Sequence, residues 1–202
     1  MTDAIEPRAR DDGDARAWFY LDHRSDIEAW AELRTEGRDL VHRHLLELGP
    51  AVEELAVSVG AEPYEAEIDD GDRPRFGMRR REWVDEVLSQ VAVVIEWQPS
   101  GLLGVGRGDP WPFVAVRYDA ALDSPVAARL LESALAGVRR SQRGRASRWW
   151  PFWRYVEPEE GPALDPEQLS LACLRQLEDL WLVAAPALDG LRSMPVSRDD
   201  LV

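Results

Sequence analysis

Residues 91–98 read VAVVIEWQ, and their alternation decides the fold. At a period of two, Val91, Val93, Ile95 and Trp97 share one face, while Ala92, Val94, Glu96 and Gln98 share the other. β-Branched residues at that period, bounded by turn signals, predict a strand. Residues 112–119, PFVAVRYD, are its natural partner, with Val114, Val116 and Tyr118 alternating against Phe113, Ala115 and Arg117. The glycine-rich stretch between them, PSGLLGVGRGDP (99–110), fits a long hairpin connection.

Upstream, residues 64–68 and 75–80 read as two more strands joined across the turn-rich DDGDRP of 69–74. Trp83, Val84, Val87 and Leu88 then fall at helical spacing, which predicts a short helix between strands. Downstream, the run from Trp149 to Val156 supplies a last strand, placed at an edge because Pro151 cannot donate to a ladder.

Helical periodicity frames this core. Ser25 and Glu28 form a capping box ahead of Ile27, Trp30 and Ala31. After Gly37 a second helix carries Leu40, Val41, Leu45 and Leu48, and Gly49-Pro50 opens a third with Val52, Leu55, Ala56 and Val59 inward. Ser124-Pro125 starts an amphipathic helix over 125–140, and Asp165-Pro166 caps a final long helix that Pro186 kinks or divides. The expected fold is α+β: N-terminal helices, a mostly antiparallel sheet of about five strands, covering helices and a long C-terminal helix. The expected organisation is a disordered acidic arm (1–17), a helical segment (18–60), an α+β core (61–195) and a frayed tail (196–202), with 18–195 one compact domain.

The chain has 202 residues and a net charge of −14. Its 24 basic residues are all arginine. With 45% apolar and 31% charged residues the composition is that of a globular protein, not a disordered or collagen-like one. Residues 1–72 carry a net −13, residues 73–156 a net +6 and residues 157–202 a net −7, so a basic middle lies between acidic flanks. A single cysteine, Cys173, leaves no disulfide framework and no multi-cysteine zinc site. There is no leader-like N-terminal run and no apolar stretch of membrane-spanning length, so the expected compartment is the cytoplasm.

Motifs for catalysis are weak. Gly101, Gly104, Gly106 and Gly108 match neither dinucleotide nor P-loop spacing, and a strand rather than a helix follows them. His42 and His44 stand two apart on a helix and cannot share a metal ion. Arg38 to His44 resembles the Arg-x(4–6)-His pattern of HEPN ribonucleases, including an acidic residue directly after the arginine. That resemblance implies an all-helical bundle and would carry over Arg38 and His44 as catalytic residues.

Glu96, two residues before Gln98 in an apolar strand, partly resembles the acidic strand of PD-(D/E)xK nucleases, which bind magnesium through paired acids. Asp85, Glu65 and Glu67 are the acids that could join Glu96, although Gln98 stands where that family has lysine and Asp85 falls on the expected helix.

The most unusual segment is 139–155, which holds six arginines and three tryptophans. Guanidinium and indole groups together bind phosphates, stack on bases and anchor protein interfaces. The expected binding residues are Arg79, Arg81, Arg143, Arg145, Arg148, Trp149, Trp150, Trp153 and Arg154, with the two arginine patches on neighbouring strands forming one basic, aromatic sheet face.

The expected function is a non-catalytic binding or adaptor module, a subunit of a larger complex. It engages a protein partner or a second copy of itself; no cofactor or metal is called for. A nucleic-acid-binding protein, or a magnesium-dependent nuclease centred on Glu96, is the alternative. Protein is favoured because the overall negative charge repels polyanions at long range.

Overall fold

Five strands hydrogen-bond in sequence order: β1 (Glu62–Ala66), β2 (Arg75–Arg79), β3 (Val91–Glu96), β4 (Phe113–Tyr118) and β5 (Phe152–Tyr155), each antiparallel to its neighbours. The two strongest sequence strands are the central pair, β3 and β4, with Val91 opposite Tyr118 and Glu96 opposite Phe113. This computed structural model describes residues 14–69, 71–84, 87–104, 109–120, 124–157 and 164–192. The expectations for residues 1–13 of the acidic arm, Asp85, Gly106, Gly108, the linker at 158–163 and the tail beyond 192 lie outside the described residues.

Contacts group the chain into two units, Met1–Arg38 and Asp39–Val202. The first contains α1 (Ala15–Asp22) and the opening turns of α2 (Arg24–Leu46). None of its described residues is buried, and Trp18, Phe19, Leu21, Trp30 and Leu33 are exposed. Its internal ties include the Tyr20 hydroxyl donating to the Glu28 carboxylate and the Phe19 ring 4.5 Å from His23.

Two local expectations are corrected here. Residues 15–17 belong to α1 rather than to a loose arm, and α2 runs unbroken through Gly37, with Ser25 inside it rather than capping it. A lone glycine costs a helix only about 1 kcal/mol, too little to end 23 residues of continuous ladder.

In the second unit, α3 (Gly49–Ser58), α4 (Pro125–Ala134), α5 (Ala136–Gln142) and α6 (Pro166–Arg192) build a core with one face of the sheet. The row Val91, Val93, Ile95, Trp97 expected to share a face lies entirely in this core, with Val114, Val116, Phe76 and Phe152 beside it. Leu169, Cys173, Leu177, Leu180, Ala184 and Leu188 of α6 join them, and burial pushes the Cys173 thiol well above its ordinary range. A Cβ at Gly77 would collide with Val93 O and Val94 Cα, so β2 lies against β3 at a distance only glycine permits.

Tertiary contacts also redraw the connecting helices. The expected helix at 83–88 is replaced, among the described residues, by a single 3-10 turn at Leu88–Gln90. Trp83 is buried and donates its indole N–H to Asp189 Oδ1 (2.8 Å), whereas Val84 is exposed. The helix over 125–140 breaks at Leu135 into α4 and α5. Asp165 caps α6 as expected, accepting from Glu167 N at 2.9 Å. Pro186 does not divide α6; buried Ala185 and Leu188 hold it across the missing hydrogen bond.

Candidate functional site

The other face of the sheet has a different cover. Ala92 and Val94 of β3 and Phe113 and Ala115 of β4 are buried beneath Tyr64, Trp150, Trp153 and Tyr155. The chain folds back to provide these rings: Arg145 and Trp153 exchange backbone hydrogen bonds (2.8 and 2.9 Å), and Ser147 N donates to Trp150 O (2.8 Å). Tyr118 N then ties Trp149 O at 3.0 Å. Guanidinium groups layer over the indoles. Arg117 lies 4.9 Å from Trp149 and 5.3 Å from Trp150, and Arg73 lies 5.0 Å from Trp150.

Glu96 sits at the centre of this layer with no solvent exposure. Its Oε2 accepts from Trp150 Nε1 (3.0 Å), while Oε1 is 3.7 Å from Arg73 NH1, and both of those last two atoms lack a hydrogen bond. Burial drives the Glu96 carboxyl above its usual range, against the opposing pull of Trp150 and of Arg117, Arg75 and Arg73. Around it, Arg73 pairs with Asp109 (2.8 Å), Arg75 with Glu67 (2.7 Å) and Asp119 (3.4 Å), and Arg117 with Asp119 (2.9 Å).

Of the acids expected to join Glu96, Asp85 lies outside the described residues, and Glu65 and Glu67 do not assemble a metal site with it. Glu65 is exposed and pairs in register with Phe76, whose ring belongs to the helix-covered core, so it occupies the opposite face from Glu96. Glu67 does not share a face with Glu65 as period two predicted: β1 ends at Ala66, and Glu67 turns into the left-handed region (φ 56°) to meet Arg75. Among the described residues, no group of three or more His, Cys, Asp or Glu side chains is placed to hold a metal ion. The HEPN resemblance fails on architecture, since a five-stranded sheet replaces the helical bundle it implies.

At the sheet edge, β5 floors an open groove of about 660 Å³. It is lined by Gln142, Arg143, Arg145, Trp153, Arg154, Tyr155, Glu157 and Gln176, three guanidiniums against one carboxylate. Trp153 and Tyr155 point to the aromatic face, whereas Phe152 faces the helix-covered core, so the groove wraps around the edge. Arg143 ends α5 in the left-handed conformation (φ 52°) and is exposed, as is Arg145, whose guanidinium stacks on Trp153 at 5.3 Å. Arg154 NH1 donates to Gln142 Oε1 (2.9 Å), but its buried Nε has no partner, and burial lowers its pKa. Tyr155 donates to Asp109 (2.7 Å); burial and that acceptor push its phenol up to about 12.

The expected binding residues therefore divide among four places. Arg143, Arg145, Trp153 and Arg154 meet in the edge groove, Trp149 and Trp150 lie under guanidinium groups on the sheet face, and Arg148 is exposed in the connecting turn. Arg79 and Arg81 are elsewhere, both on Glu62 of β1 (4.0 and 2.8 Å), with β3 and β4 between their strand and β5. The single basic face is thus corrected: among the arginines of 73–81, Arg73 lies over Trp150, whereas Arg79 and Arg81 pair with Glu62. Sequence reasoning missed Arg117, Asp109 and Gln176. The alternation in β4 already put Arg117 with Phe113, but no local signal links Asp109 or Gln176 to β5. No protein-family model matches the chain, and neither comparison with curated proteins nor comparison with solved structures returns a match.

Proposed function

We propose that this chain is a non-catalytic binding module, a subunit of a larger complex, which engages an acidic segment of a protein partner through the groove along β5. One observation carries the reading: the exposed guanidiniums of Arg143 and Arg145 and the half-buried Arg154 line one open groove together with Trp153 and Tyr155. An exposed guanidinium can give a carboxylate two parallel charge-assisted hydrogen bonds, and two such groups stand here side by side. Trp153 and Tyr155 add flat apolar area of the kind that dominates interface energetics. The guanidinium groups around Glu96 favour a structural role for that carboxylate over a metal-binding one. The net charge of −14 favours a short acidic protein segment over a long polyanion.

The test pans the full chain against a displayed random-peptide library, with duplex DNA and single-stranded RNA run beside it at low and moderate salt. Enrichment of acidic peptides that is lost in an Arg143→Glu/Arg145→Glu double variant is the expected result. Salt-sensitive nucleic-acid binding with no acidic enrichment would overturn the reading and move the groove to phosphate recognition.

A further inference from the structure

Trp153 lines a second, smaller recess of about 110 Å³, together with Asp109, Phe113, Ser147 and Trp150. The buried Phe113 ring meets Trp150 at 5.6 Å and 89° and Trp153 at 5.9 Å and 65°, so both indoles stand against one phenyl ring. Two of the polar groups here are already engaged. Asp109 is held by Arg73 (2.8 Å) and by the Tyr155 hydroxyl (2.7 Å), and the Trp150 N–H is given to Glu96. A polar ligand would gain little in the recess, whereas a carbon side chain would replace water on three aromatic rings.

Size narrows the occupant. A cavity of about 150 Å³ admits benzene, and this one is smaller. Charge narrows its carrier, because the Trp153 that walls the recess also lies under Arg145 and borders the arginine groove. We infer that the recess receives one aliphatic side chain, of leucine or isoleucine size, from the same acidic segment that the groove binds; the inference rests on that reading. The partner's signature is an aliphatic residue next to Asp or Glu.

Three probes test this on the full chain: a short Asp/Glu peptide with a central leucine, the same peptide with a central alanine, and isobutanol as the isolated side chain. Binding is read by the indole N–H resonances of Trp150 and Trp153. The leucine peptide should bind about tenfold tighter than the alanine peptide, in line with the gain from filling an apolar pocket. Ser147→Trp, at an exposed rim position, should remove that advantage and leave the alanine peptide unaffected. Arg145→Ala should weaken both peptides alike.

Equal affinity of the two peptides overturns the recess while leaving the groove. Isobutanol binding with neither peptide bound keeps the recess and overturns its acidic carrier. Indole resonances unmoved by all three probes overturn both.

Discussion

Strand β3 shows two ways of burying one strand. On one side Val93, Ile95 and Trp97 lie under helices, with His42 Nδ1 accepting the Trp97 indole N–H at 2.9 Å. On the other side Ala92, Val94 and Glu96 lie under indoles and guanidinium groups. The first cover is hydrocarbon from α6 and its neighbours, so it depends on close packing and little on salt. The second is a web of ion pairs whose outer members keep solvent contact, so it depends on both partners being present. The β5 groove, our proposed partner site, lies at the margin of this second cover.

The largest effect should come from the helix-covered side. Trp97→Ala removes a fully buried indole and its bond to His42, and should cost about 3–5 kcal/mol in urea unfolding, independent of salt. Glu96→Ala should cost less, about 2 kcal/mol, because Trp150 loses its acceptor and Arg73 its ion-pair partner, but Arg73 keeps Asp109 and some water. Glu96→Gln, which can still accept from Trp150, should stay within about 1 kcal/mol of the parent at neutral pH. A Gln variant as damaging as the Ala variant would make the charge, not the hydrogen bond, the organiser of that face.

The two sides should also respond to pH with opposite sign. Burial raises the folded Glu96 pKa above 4.5, so its contribution is full below that value and is lost as pH rises through the folded pKa. Burial lowers the folded His42 pKa below 6.5, so its contribution is present above 6.5 and is lost as pH falls through the folded pKa. Unfolding midpoints across this range should lose the upper dependence in Glu96→Gln and the acid dependence in His42→Phe. The smallest effect belongs to the groove: Arg143→Ala should change stability by no more than about 0.5 kcal/mol.

Much of the sheet was legible because period two is a local property. Each central strand lies within a residue or two of its expected bounds, and Pro151 correctly marked β5 as an edge. The helices were less legible where tertiary packing overruled a local signal. Gly37 and Pro186 look like breaks, yet α2 and α6 run through both, and Trp83 is held by Asp189 of α6 rather than by a helix of its own.

The placement of the expected binding residues shows the same division. Arg143, Arg145, Trp153 and Arg154 were readable because they are neighbours in sequence that remain neighbours at one edge. Placing Arg79 and Arg81 beside them required a strand order, and the observed order puts β3 and β4 between.

The sequence by itself determined the α+β class, the alternating faces of β3 and β4, and the concentration of arginine and tryptophan near the last strand. Each depends only on residues close along the chain, whose directions the backbone geometry sets. Only the tertiary structure decided which face the helices cover, that Glu96 is surrounded by guanidinium groups instead of carboxylates, and that the arginines divide between two edges. Those outcomes depend on long-range strand pairing and on the energetic demand that a buried charge find opposite charge or a hydrogen bond.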